Sequence, residues 1–108
     1  MADRMLQVHI RENDRVNGRP LYEEIVERCR GLGIAGATVL RGLEGYGSAA
    51  EIHRGGLVRH DLPVVVAIVD SEENLARLTP VLEGLVDRGA IVIEPVAVRR
   101  VRKASVLP

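Results

Sequence analysis

Six consecutive residues, Val64-Val65-Val66-Ala67-Ile68-Val69, carry only apolar side chains. A strand turns successive side chains to opposite faces, so such a run calls for cover on both faces of its sheet. A central strand over 62–70 is therefore predicted. The rest of the fold must shelter Val64, Val66 and Ile68 on one side and Val65, Ala67 and Val69 on the other. A row of valines left in water would be a large exposed patch.

The flanking segments supply one of the two covers. Leu6, Val8 and Ile10 alternate with Gln7, His9 and Arg11, the period of a strand over 5–11. The polar stretch 12–19 holds a turn signal at Asn17-Gly18. Pro20 suits a first helical position, and Glu23 and Glu24 complement the amino-terminal dipole. Leu21, Ile25, Cys29 and Leu32 then make one apolar helix face, which Gly31 and Gly33 bring to a stop. A second strand is expected over 37–44 and a polar connection over 45–61. Ser71 reads as the cap of a second helix with an acidic first turn. Leu75, Leu78, Leu82 and Leu85 form its stripe, Pro80 should kink it or shift its start, and Gly89 reads as its carboxyl-terminal cap. A fourth strand over 90–94 is extended by Val96, Val98 and the Arg99, Arg100, Arg102, Lys103 cluster, in which strand alternation would put Arg100 and Arg102 on one face, and Pro95 marks it as an edge or a bulge.

The order β-α-β-β-α-β is the split βαβ, or ferredoxin-like, arrangement. It is an α+β sandwich, with a four-stranded antiparallel sheet and two helices on one face. Residues 1–108 make a single domain, with a long mobile loop at about 45–61 and a fraying tail at 104–108. Helices on one face leave the second side of the apolar run open, so another subunit is expected there.

Composition narrows the function classes. Fifteen Lys and Arg balance fifteen Asp and Glu, so no global field draws nucleic acid or an anionic membrane. Tyr22 and Tyr46 are the only aromatics, which makes the core aliphatic. No apolar run reaches the roughly 18 residues of a membrane span. Met1-Ala2-Asp3-Arg4 leads straight into a strand pattern, so a signal peptide is not expected there. A single cysteine, Cys29, cannot form an internal disulfide, in keeping with a reducing compartment. The expected location is the cytoplasm.

Five of the eleven glycines fall in the stretch from Gly33 to Gly47. Two readings stand: a hairpin with an irregular turn, or a backbone cradle for an anion beside Arg41. Gly45-Tyr46-Gly47-Ser48-Ala49-Ala50 formally matches the dinucleotide fingerprint. Gly55-Gly56 follow within a few residues, however, and the remaining chain is too short for a Rossmann domain. Ser48 lacks the frame of a nucleophile elbow, Cys29 sits on an apolar helix face, and no nucleophile–base pair is visible. The chain is expected not to be an enzyme. Glu51, His53, His60 and Asp61 could gather a divalent metal, or be solvated loop residues; their spacing matches no closed zinc pattern. The run Arg99-Arg100-x-Arg102-Lys103 is either solvated or a site for phosphate, RNA or a neighbouring carboxylate.

Pro20-Leu21-Tyr22, Gly36 to Gly42, Glu44-Gly45-Tyr46-Gly47, Asp61 to Val65 and Val69 to Glu73 together resemble the bacterial family called domain of unknown function 190, over roughly residues 5–102. That family resembles the PII signalling proteins, whose ferredoxin-like subunits form trimers, bind adenine nucleotides between subunits and touch targets with the long loop after the second strand. The resemblance implies a PII-like regulator binding a small anionic ligand, an adenine nucleotide such as ATP, ADP or AMP; no other cofactor is called for. Carried onto this chain, the resemblance implies Gly42, Gly45 and Gly47 at the base of the loop, with Arg100 and Arg102 as basic candidates; joined to the cradle beside Arg41, the expected site is completed by Arg100 or Arg102 of the adjoining subunit. Asp87-Arg88-Gly89-Ala90 holds the place of the family's glycine-and-lysine loop but is shorter and lacks the lysine. The partner loop would present Glu51, His53, Arg54 and Arg59 to a membrane transporter or an enzyme. The alternative is a cation-tolerance protein of the same fold, with His53 and His60 as metal ligands.

Overall fold

The computed structural model describes residues 2–46, 53, 54 and 61–103, the pair 53–54 by its backbone. In chain order the elements are β1 (Asp3–Arg11), β2 (Arg15–Val16), β3 (Arg19–Pro20), α1 (Leu21–Gly31), β4 (Ala37–Arg41), β5 (Glu44–Gly45), β6 (His53–Arg54), β7 (Pro63–Ser71), α2 (Glu72–Leu85) and β8 (Ala90–Val96). Four of them form the main sheet in the order β4-β7-β1-β8, with every neighbouring pair antiparallel. With α1 and α2 packed on one face, this is the ferredoxin-like sandwich.

The apolar run lies in the centre of that sheet, as its composition requires. Leu6, Val8 and Ile10 of β1 stand opposite Ile68, Val66 and Val64 of β7. All six are buried in one cluster with Leu21, Ile25 and Cys29 of α1 and Leu75, Leu78 and Leu82 of α2. Burying each such aliphatic side chain contributes about 1.5–3 kcal/mol. The alternate residues behave differently. Val65, Ala67 and Val69 are only half-buried, and beside them Leu40 of β4 and Val92 of β8 stand 53% and 43% exposed. The second cover that the run demands does not come from the described residues.

Helix ends follow local chemistry. α1 closes with Gly33 at φ 74°, where the N–H of Ile34 donates to Cys29 O and that of Gly33 to Arg30 O. These are the two bonds of a Schellman stop, and buried Ile34 supplies its apolar contact with Cys29. Pro20 sits one residue earlier than expected, as the N-cap, because it is still paired with Arg15 in β3. Asn17 and Gly18, at φ 50° and 79°, make the expected tight turn between β2 and β3. Ser71 caps α2, its hydroxyl accepting from Asn74 N at 3.1 Å.

Two expectations are corrected and a third is narrowed. Pro80 does not shift the start of α2, which runs from Glu72 to Leu85 with the proline inside it. Pro80 and Ala76, whose carbonyl loses its helical donor, both lie on the exposed side, where the loss is tolerated. The cap of α2 is Val86, bonded to Leu82 O, and Gly89 comes three residues later. β8 ends at Val96, so the 97–103 segment is not strand and strand alternation does not order its arginines.

Candidate functional site

β4 stops at Arg41 for a reason carried by its neighbour. Arg41 pairs with Val64, and the next position of β7 is Pro63, which has no N–H to return. Gly42 N still donates to Pro63 O at 2.7 Å, and there the ladder ends. The expected strand over 37–44 is thus divided, and Glu44–Gly45 pairs instead with His53–Arg54. The long connection begins as a two-stranded ribbon beside the sheet.

The glycines at this corner are explained by proximity. Neither Gly42 nor Gly45 has positive φ. A Cβ on Gly42 would lie 2.8 Å from Pro63 Cγ, and one on Gly45 would lie 3.3 Å from the same atom. The Pro63 ring rests on both, so the backbone reverses against it without a side chain in the way. The N–H of Gly42 is therefore already engaged, and only part of a backbone cradle is open at this corner.

Arg41 is 62% exposed at its side chain, and its Nη2 pairs with Oε2 of Glu12. Glu12 is fixed from below: its N–H donates to Leu62 O at 2.8 Å. Around it, Asp61 accepts from Asn13 N at 3.1 Å and faces Arg11 at 3.6 Å, while Arg11 also faces Asp14 at 3.6 Å. The turn after β1 and the end of the long connection are thereby stapled together. Glu12 and Pro63 were not among the expected site residues. Cross-strand register brings them to Arg41, and register is not written in the spacing of any one segment.

Arg100 lies elsewhere. Its Nη1 is 3.4 Å from Asp3 Oδ2, at the opposite end of β1. β4 and β1 are separated by β7 alone, and Arg41 is level with Ile10. Two interstrand steps of about 4.8 Å and seven residues of about 3.4 Å rise then put Arg41 and Asp3 roughly 25 Å apart. One chain does not bring Arg41 and Arg100 to one phosphate. Arg102 is exposed in the segment beyond β8. Gly47, Glu51, Arg59 and His60 lie outside the described residues, as do the side chains of His53 and Arg54, so the expected loop contacts are not described. Among the described residues no group of three His, Cys, Asp or Glu side chains is arranged to hold a metal.

Among the described residues two titratable groups are perturbed. Burial pushes the Cys29 thiol up to about 11, so it is an inert core side chain at neutral pH. Asp70 is buried, which raises its pKa. The N–H of Ala35 at 2.9 Å, the Asn74 amide at 3.0 Å, the N–H of Ser71 at 2.7 Å and the charge of Arg100 outweigh this and hold it below the ordinary value. Asp70 fixes the chain between α1 and β4 to the start of α2.

Comparison with known proteins bears on the family and the fold. Residues 3–98 match the family DUF190, described as "Uncharacterized ACR". A "UPF0166 protein" of Aquifex aeolicus (strain VF5) is 37% identical over 97 residues, covering 88% of this chain and 91% of that protein. Among solved structures, CPII from Thiomonas intermedia K12, bound to ADP and bicarbonate, is similar with a TM-score of 0.66 and 19% identity, covering 93% of this chain and 91% of that one. The divalent cation tolerance protein CutA1 of Thermus thermophilus is similar with a TM-score of 0.63 and 13% identity, covering 91% of this chain and 87% of that one. At these identities the structural likenesses speak to the fold. No helix among the described residues is long and apolar enough to cross a membrane.

Proposed function

Because the chain belongs to the DUF190 family and shares its fold with PII-like proteins, we propose that it is a cytoplasmic, non-enzymatic regulator that binds a phosphate-bearing ligand, an adenine nucleotide, at the corner of Arg41, Gly42 and Gly45. The observation that carries this reading is the exposed Arg41 guanidinium at the base of the 45–61 connection, in a fold that the Thiomonas protein uses with ADP. Guanidinium matches phosphate bidentately, and a connection rooted beside it would let a partner sense occupancy through Glu51, His53, Arg54 and Arg59.

The half-covered sheet face supports assembly as a homotrimer. In such an assembly Arg100 or Arg102 of a second copy completes the site across the interface, a reading that agrees with the separation of Arg41 from Arg100 within one chain. The test is calorimetry with ATP, ADP and AMP. Binding is expected, and Arg41→Ala should weaken it by roughly 1.5–3 kcal/mol, the scale of hydrogen bonds to charged groups. No heat with any nucleotide would overturn the reading. The CutA1 likeness favours a second one: a thermal-shift rise with divalent metal, reversed by chelator, would move the site to His53 and His60.

A further inference from the structure

The Arg41 guanidinium already has an anion. Glu12 meets it with a side chain that is only 19% exposed, against 62% for the arginine. The carboxylate is delivered there by its backbone rather than by the wandering of a long side chain. Its N–H is bonded to Leu62, the next residue is bonded through its N–H to Asp61, and Leu62 immediately precedes the Pro63 ring that seats Gly42 and Gly45. Glu12, Arg41, Gly42 and Pro63 are therefore one constellation. Resting on the reading that a phosphate binds at Arg41, we propose that Glu12 is an internal competitor for that phosphate, an autoinhibitory carboxylate that the ligand must displace before it can occupy the guanidinium.

Populations set the size of the effect. A tethered carboxylate is present at an effective concentration in the millimolar range without any ligand being added. A site that is binding-competent only part of the time shows an affinity reduced by that fraction. Partly exposed ion pairs are worth about 0.2–1 kcal/mol, which leaves Arg41 disengaged for a fraction corresponding to a loss of affinity of about two- to sixfold. The contact thus raises the ligand concentration at which the site fills without removing any group from it.

The test is calorimetry of the whole protein with ADP, on the wild type, Glu12→Gln, Arg41→Ala and the double variant, with melting temperatures to establish that each is folded. Glutamine is isosteric and leaves the backbone bond to Leu62 in place. Glu12→Gln should tighten ADP binding by about two- to sixfold, and the same change in the Arg41→Ala background should leave affinity where it was. Unchanged or weaker binding by Glu12→Gln, when the wild type binds, overturns the competitor and leaves the site reading standing. Equal tightening with and without Arg41 overturns it too, because the effect is then general charge repulsion. Absence of ADP binding by all four proteins overturns the site reading and this proposal together.

Discussion

A Cβ placed on Gly89 would stand 2.5 Å from the carbonyl oxygen of His9 and 3.2 Å from side-chain carbons of Ile10 and Val86. Backbone is in the way, and backbone between two paired strands does not yield cheaply. Gly89→Ala should destabilise the protein by about 1–3 kcal/mol in denaturant unfolding, the usual range for overpacking. An unchanged midpoint would show that the entry to β8 has slack. Sequence identifies this glycine as a boundary but assigns it to the wrong element, since it ends no helix. Its reason for being glycine is a contact with the first strand, at the far end of the chain. Gly42 and Gly45 are a parallel case. They look like conformational glycines, yet the requirement comes from the Pro63 ring. Asp70 makes the companion case for charge. Its folded pKa is lowered, so it stabilises the fold fully above the unfolded value of about 3.9, and that contribution is lost as pH falls through the lower folded value. Asp70→Ala should leave the donors of Ala35, Ser71 and Asn74 without their acceptor and cost about 2–4 kcal/mol at neutral pH. It should also flatten the acid limb of a stability profile, and a profile identical to wild type would remove Asp70 from that role.

At the scale of elements, legibility follows the source of the information. Period-two alternation in β1 and the Leu75, Leu78, Leu82 stripe of α2 are local patterns, and both elements are where those patterns put them. The Schellman stop of α1 and the Asn17-Gly18 turn are equally local. The end of β4 is not, because it depends on a proline in a strand that comes later in the chain. Pro80 is the informative exception. It is the residue most opposed to a helix, yet it sits in the ninth position of α2, with Thr79 bonding back to Leu75 O at 2.8 Å. Burial of the leucine stripe outweighs one missing helix bond, and that bond lies on the water side, where its carbonyl can be solvated. Pro80→Ala should therefore stabilise the protein, by up to about 3 kcal/mol, read as a raised melting temperature. A lowered one would mean that the proline makes a contact worth more than the helix bond it removes.

For the molecule as a whole, the two rows of β7 predict opposite outcomes for the same substitution. Val66 is buried under the helices, and Val66→Glu places an unpaired charge in the core, so the chain should fail to fold. Val65 is on the half-covered face opposite His9 and Leu40. Val65→Glu should leave a folded chain that sediments as a smaller species than the wild type. If wild type and variant both sediment as monomers at micromolar concentration, the second face needs no subunit and the apolar run in β7 loses its explanation. The diagonal placement of Arg41 and Arg100 carries a genetic consequence as well. If each site takes one arginine from each of two copies, a ring built from identical chains has its defects sorted by copy rather than by site. A preparation of Arg41→Ala alone and one of Arg100→Ala alone should each bind ADP only weakly. Unfolded together and refolded as mixed assemblies, they should regain tight binding at roughly one site in four, the random frequency with which each intact arginine meets the other across a shared boundary. Two broken proteins would then complement each other in the test tube, something no site contained within a single chain can do.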